Sequence, residues 1–428
     1  MKIAFYTLGC KVNQYETQAM REKFISLGHT IVDDKEAFDC IVINSCTVTA
    51  ESDRKCRQQL NHFRRENPNA VIVLTGCMVQ ALGEKANELT SADIIAGNTD
   101  INKIINLVEG FRENRNPTIE ICPHNRDEAF NTPGISTFAE RTRAFMKIED
   151  GCERYCTYCI IPYARGFVRS RPIEEIKSEA EKLAKNGYKE IVLVGINLSA
   201  YGKGEDINLC DAVDAVCSVD GIERVRLGSL EPDHISDQML ERFKAQDKFC
   251  PQFHLSLQSG CDATLKRMNR HYDSAFYYDL VERIRKIFPD AGISTDIMVG
   301  FPGETEEEFN QSISFLKKVG FAKTHVFAYS RRQGTIADKM PNQITKAMKS
   351  QRSRQMISAA TKCEEEFLQG LVGKTFSVLF ETEENGIFFG YTPNYARVAV
   401  ESDEILGGKL KNVKITAVDG DLCKGVTV

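Results

Sequence analysis

Over residues 1–112 short apolar runs alternate with stretches whose apolar positions recur at helical spacing. The runs 2–8, 40–44, 71–75 and 93–96 predict strands, and helices are expected near 14–27, 51–66 and 79–89. That alternation predicts an open parallel α/β domain over 1–112. The polar segment 113–137, with Pro117, Pro123, Pro133 and Gly134, keeps no period and predicts a linker. From 138 to 368 six further strands are expected at 144–148, 191–194, 225–229, 253–257, 294–299 and 325–329. Helices at 172–186, 275–287 and 304–318 between them predict a run of βα units closing wholly or partly into a barrel. After a long charged helix at 345–369, short β-type runs at 376–380, 387–391, 396–400 and 413–418 predict a small β-barrel over 371–428.

At 428 residues the chain exceeds one ordinary core, in keeping with several domains. No stretch approaches the roughly 20 apolar residues of a membrane span, and the chain enters a strand at once without a signal-peptide pattern; a cytoplasmic protein with no membrane partner is expected. In that compartment the fifteen cysteines point to metal ligands or core residues rather than to disulfides. A net charge of -5 argues against a protein coated with basic groups, yet leaves a local nucleic-acid groove open.

Cys152, Cys156 and Cys159 lie in the loop directly after the first barrel strand, at spacings of three and two intervening residues. A structural zinc site wants four ligands and a ferredoxin run wants a fourth cysteine, but the next one is Cys210 on an expected helix. Three thiolates leave one iron of a four-iron cluster without a protein ligand. The motif resembles the radical S-adenosylmethionine superfamily over the whole middle region. The resemblance implies that the open iron chelates S-adenosyl-L-methionine, that an electron from the cluster frees a 5′-deoxyadenosyl radical, and that Tyr158 lies against the adenine. Polar groups at the ends of later barrel strands are candidate cofactor contacts: Gly195, Asn197, Ser229, Glu231, Ser256, Gln258 and Asp296. Ser236, Asp273 and Thr305 read better as helix caps.

A second set of cysteines follows the N-terminal strands: Cys10 after the first, Cys46 after the second and Cys77 after the third. Parallel sheets present the carboxyl ends of their strands along one edge, so three thiols there can converge on one point. Cys40 and Cys56, inside a strand and a helix, read as packing. The stretches Leu8-Gly9-Cys10-Lys11-Val12-Asn13-Gln14-Tyr15-Glu16, Asn44-Ser45-Cys46-Thr47 and Thr75-Gly76-Cys77 resemble the methylthiotransferases. Together with Gly300-Phe301-Pro302-Gly303-Glu304-Thr305 and the terminal β-domain, which resembles a small RNA-binding domain shared with uridine methyltransferases, they extend the likeness over essentially the whole chain.

The resemblance implies two 4Fe-4S clusters, the second on Cys10, Cys46 and Cys77 and serving sulfur transfer. Lys11 to Glu16 and Tyr391 to Val398 look most like the branch that adds a methylthio group to C2 of N6-threonylcarbamoyladenosine in the tRNA anticodon stem-loop. Other branches act on isopentenyladenosine in tRNA or on a ribosomal-protein aspartate. The implied partners are tRNA, an electron donor and a sulfur source, and the protein is expected to be a monomer. Radical chemistry suits the reaction because no side-chain base removes a non-acidic C–H proton near neutral pH. The family often has Ser-Pro-Arg-Pro-Gly-Thr where this chain has Ser330-Arg331-Arg332-Gln333-Gly334-Thr335. From Leu371 onward six basic residues stand against eight acidic ones, so RNA binding there would lean on Phe388, Phe389, Tyr391 and Tyr395 with Arg397. Arg331, Arg332, Lys339, Lys346, Lys349, Arg352 and Arg354 are further basic candidates. A non-catalytic iron–sulfur RNA sensor is the contrasting class, and an open reactive iron speaks against it.

Overall fold

The computed structural model describes residues 1–138 and 141–428. Its N-terminal sheet has six parallel strands in the order Thr30–Ile31, Lys2–Thr7, Cys40–Ser45, Val71–Gly76, Ile94–Ala96, Thr118–Glu120. Cys40–Ser45 is buried at every position, as a central parallel strand covered on both faces must be. The two edge strands were not expected: with two and three residues they are too short to carry an alternating pattern. Thr118–Glu120 lies inside the segment read as a linker. That segment is also tied down further along, where the Glu22 carboxylate accepts from the Ser136 and Thr137 amides at 2.9 and 2.8 Å. An additional helix, Ile101–Asn114, starts at Asp100, whose side chain accepts from the Asn102 amide.

The middle of the chain forms an open arc rather than a closed cylinder. Arg224–Leu227, Glu190–Val194 and Arg143–Lys147 make one parallel sheet, and Ser229–Leu230, Gln252–Leu255, Gly292–Val299 and Lys323–Ala328 make another. The strand expected at 225–229 is divided at Gly228, where the chain passes from one sheet to the next. Arg143–Lys147 and Lys323–Ala328 lie at the two ends of the arc. Helix Lys11–Ser26 of the N-terminal domain packs on Arg143–Lys147 and helps to cover this opening. Its Val12, Tyr15 and Ala19 enter the same core as Phe145. Ser236, Asp273 and Thr305 cap helices Asp237–Lys244, Ser274–Ile287 and Glu306–Val319, the last through a capping box with Glu308.

Helix Lys346–Gln369 leads into a closed five-stranded barrel of Thr375–Glu384, Ile387–Tyr391, Arg397–Glu401, Leu422–Thr427 and Leu410–Asp419. Leu422–Thr427, the strand not anticipated, runs parallel to Arg397–Glu401 and closes the ring. The barrel docks where the central strands begin. Arg224 and Arg226 donate to the Tyr391 and Pro393 carbonyls at 2.9 and 2.8 Å, and Asn394 Nδ2 donates to the Asp290 carbonyl at 2.8 Å. No helix among the described residues is long and apolar enough to cross a membrane.

Candidate functional site

The loop after Arg143–Lys147 turns at Gly151, φ +91°, where a Cβ would lie 1.8 Å from the Phe167 carbonyl oxygen. Only glycine lets the chain pass here and present Cys152, Cys156 and Cys159 together. The Cys152 amide donates to the Gly166 carbonyl at 2.9 Å, and the Ile161 amide donates to Cys159 Sγ at 3.4 Å. Arg270 donates to Cys156 Sγ at 3.1 Å, and through its other nitrogen to Glu231 Oε2 at 2.5 Å and the Ser256 carbonyl at 3.0 Å. Burial pushes the Cys159 thiol up to about 12, with Cys156 adding to the rise. Ligation at neutral pH must therefore displace thiol protons onto solvent as metal binds.

Tyr158 projects beside this loop, its ring edge-on to Phe301 at 6.3 Å. Gly195 borders Glu149: a Cβ there would lie 2.5 Å from Glu149 Oε2, which accepts from the Asn197 amide at 2.7 Å. Among the described residues, Glu149 Oε1 and Asn197 Oδ1 are buried without a hydrogen-bond partner, two polar atoms left for a ligand. Burial pushes the Glu149 carboxyl up to about 8, with Asp150 adding to the rise. Ser229 Oγ and Ser256 Oγ lie 3.0 Å apart. Gln258, at φ +70°, exchanges backbone bonds with Asp296 and Met298. Asp296 stands apart from the cysteine loop: its Oδ2 is 3.4 Å from His254 Nε2, and together with His325 these ligand atoms lie within 4.8 Å of one another.

The N-terminal cysteines also come together. Gly9, at φ +119°, sits so close to Cys46 that a Cβ would fall 2.9 Å from the Cys46 Cβ. Cys10 is exposed at the start of helix Lys11–Ser26, while Cys46 and Cys77 are buried. Burial pushes the Cys77 thiol up to about 12; Arg165 pulls the other way, and Cys10 and Cys46 are near enough to add to the rise. Cys10 and Cys46 lie close enough to act on Cys77, and Cys156 close enough to act on Cys159, so each set gathers soft thiol donors that fit a thiolate-bound metal group.

Arg165 joins the two loops. Fully buried, it donates to Cys77 Sγ at 3.1 Å, to Asn13 Oδ1 at 3.1 Å and to both Glu16 oxygens, and lies 3.4 Å from Asp150 beside the central motif. Lys147 completes the set, 2.8 Å from Glu16 and 2.6 Å from Asp150. Between the domains lies a cavity of about 580 Å³. Cys10 and Lys11 line it from the first domain, Gly195, Ser229, His254 and His325 from the central arc, and Tyr395 and Arg397 from the terminal barrel. Tyr391 and Tyr395 stack at 4.7 Å, whereas Phe388 belongs to the terminal core.

Sequence reasoning missed Arg165, Arg270 and Glu149. Glu149 was within reach, since it stands at the carboxyl end of the first barrel strand, where polar groups were sought on the others. Nothing local marks the two arginines. Several basic residues read as RNA contacts have internal partners: Arg332 bonds Thr47 and, at 2.7 Å, Asp53, Arg352 bonds Glu304 at 2.6 Å, and Lys349 donates to the Tyr329 carbonyl at 2.8 Å. The departing loop at 330–335 thus docks on the N-terminal domain beside Cys46.

The radical SAM superfamily model matches residues 146–316, and the uncharacterized protein family UPF0004 matches residues 2–97. The chain is 37% identical over 420 residues to the threonylcarbamoyladenosine tRNA methylthiotransferase MtaB of Bacillus subtilis, covering 96% of this chain and 93% of the relative. It is also 37% identical over 420 residues to a tRNA-2-methylthio-N(6)-dimethylallyladenosine synthase of Clostridium perfringens, covering 96% and 94%. Among solved structures, the radical S-adenosylmethionine methyltransferase TsrM of Kitasatospora setae shares the fold, with a TM-score of 0.59 and 13% identity over 91% of this chain and 80% of that one.

Proposed function

We infer that this chain, which belongs to the radical S-adenosylmethionine tRNA methylthiotransferases, adds a methylthio group to C2 of N6-threonylcarbamoyladenosine beside the tRNA anticodon. As a radical SAM protein it uses S-adenosylmethionine and a four-iron cluster. Cys152, Cys156 and Cys159 would hold that cluster, and Cys10, Cys46 and Cys77 a second one. When bound, these groups supply the radical that opens the C2–H bond and the sulfur that replaces the hydrogen.

The observation that carries this reading is the link through Arg165 between Cys77 and the loop of Cys152, Cys156 and Cys159, with Cys10 lining a cavity large enough for a nucleoside. Around it the chain's own groups have plain tasks. Arg270 donates to Cys156 Sγ and fixes Glu231 beside it. Asn197 Oδ1 offers an acceptor to a bound ammonium or hydroxyl, and Oε1 of the neutral Glu149 carboxyl offers a donor. The terminal barrel walls the cavity off from water on one side.

The test is anaerobic turnover of anticodon stem-loops carrying either N6-threonylcarbamoyladenosine or isopentenyladenosine, followed by nucleoside mass analysis. One methylthio group on the first and none on the second is expected. Equal conversion of both, or of the isopentenyl substrate alone, moves the enzyme to another branch of the family.

A further inference from the structure

One cation of the cavity, Lys11, is exposed and, among the described residues, its ammonium has no carboxylate partner and no hydrogen-bond partner; the Phe145 ring lies 5.8 Å from its Nζ to the centroid, and Tyr395 and Cys10 are near enough to act on it. Three other cations around the same floor are answered. Arg143 pairs with Glu381, Arg226 with Glu190 at 2.8 Å, and Lys323 with Glu364 at 2.6 Å. With Arg143 and Arg226 near enough to disfavour its charge, the Lys11 ammonium gains when an anion reaches it. The wall opposite adds Arg397, whose guanidinium likewise has no carboxylate partner and lies 4.9 Å from the Phe389 ring.

Lys11 follows directly on Cys10, and position matters here. In a purine, C2 and the carbon bearing N6 are both bonded to N1, so the group that serves C2 and the group that reads the N6 substituent must lie side by side. The threonylcarbamoyl substituent ends in a carboxylate, whereas the isopentenyl substituent is a hydrocarbon. We propose that the Lys11 ammonium takes the carboxylate of the substrate's N6 substituent, and that this contact makes the enzyme select an acidic N6 group over an apolar one. The inference rests on the substrate reading given above. Lys11 is a specificity residue in it and performs no step of the chemistry.

The test compares kcat/KM of the anaerobically reconstituted, full-length enzyme on two anticodon stem-loops, one carrying N6-threonylcarbamoyladenosine and one carrying its threonine primary amide. A charge-assisted hydrogen bond in a partly desolvated site gives the wild type a preference of roughly 10- to 100-fold for the acid. In Lys11→Met the ratio of acid to amide falls to about one, and in Lys11→Arg a clear preference for the acid remains. Because the readout is a ratio, a general loss of activity in a variant does not disturb it. If the ammonium served an RNA phosphate or the carboxylate of S-adenosylmethionine, Lys11→Met would lose equally on both substrates and keep the wild-type ratio; that result overturns the proposal. So does a wild type indifferent to the amide. A wild type that ignores both and converts only the isopentenyl stem-loop overturns the substrate reading itself.

Discussion

Replacing Arg165 by methionine removes one of three cations from a buried set in which Lys147, Arg165 and Arg169 face Glu16 and Asp150. None of the five is more than 8% exposed. Burial works to raise the Glu16 carboxyl, yet Arg165 and Lys147 overcome it and hold the group below its usual value. With Arg165 gone, Glu16 keeps only Lys147, which it shares at 2.8 Å with Asp150 at 2.6 Å, while Arg169 reaches Asp150 alone at 3.4 Å; Glu16 is left under-compensated in a dry interface. Breaking a buried pair this way costs about 3–5 kcal/mol. That corresponds to a fall of roughly 10 °C in melting temperature for a protein of this size class. Arg165→Met combined with Glu16→Gln also removes the carboxylate that lost its partner, leaving Lys147 and Arg169 on Asp150. The double variant should therefore be more stable than Arg165→Met alone by about 1–3 kcal/mol, a coupling of the size seen for residues in one charged network. Anaerobic urea unfolding of the wild type, both single variants and the double variant measures it. Losses that simply add would refute the reasoning, because they would mean that Arg165 and Glu16 are screened from one another.

Two further outcomes follow from the same geometry. Reconstituted wild type should carry about eight irons per chain, the content of two four-iron clusters; Cys46→Ala should still release 5′-deoxyadenosine with a strong reductant while forming no methylthio product, and Cys156→Ala should do neither, so normal methylthio-tRNA from Cys46→Ala would make the N-terminal cysteines structural. Glu149→Gln should stabilise the protein more at pH 8 than at pH 6: burial raises this carboxyl from 4.5 to about 8, so between those values the folded state binds the proton more tightly than the unfolded chain and stability falls as pH rises. The variant, which has no proton to lose, should gain up to about 2 kcal/mol over wild type between pH 6 and pH 8 in urea unfolding, and a gain independent of pH would contradict the buried neutral acid.

Most of the elements that carry the candidate cysteines were legible because their signals are local. The spacing of Cys152, Cys156 and Cys159 is set within eight residues, and Cys10, Cys46 and Cys77 each sit a fixed step beyond an apolar run. The helix caps at Ser236, Asp273 and Thr305 were legible for the same reason. What escaped depends on distant parts of the chain. Arg332 and Arg352 look from sequence like a basic face for RNA, but folding brings Asp53 from 279 positions away to one and Glu304 from 48 positions away to the other. A cation's role is decided by which carboxylates reach it, and no local period encodes that. Lys11 is the converse case, read in sequence as part of a motif, its meaning residing in the partner it lacks.

An open arc of strands leaves its first strand in need of cover, and this chain solves the problem in a way that bears on its chemistry. Arg143–Lys147 could have been closed against Lys323–Ala328, which would have filled the interior with side chains and left no cavity. Instead a helix from another domain packs on it, placing Val12 and Tyr15 in the core and Glu16 on Lys147. Apolar packing alone would allow such a helix to slide, since Val, Tyr and Ala faces tolerate small shifts. The buried charges do not. Lys147 and Arg165 must each keep contact with Glu16 in a region of low dielectric, where separating opposite charges is far costlier than in water. The helix begins at Cys10, and Arg165 also bonds Cys77, so the register fixed by the charges is the register of the N-terminal cysteines against the loop of Cys152, Cys156 and Cys159. On the two-site reading proposed above, that spacing is the quantity the fold has to hold constant, and the buried charges are what hold it.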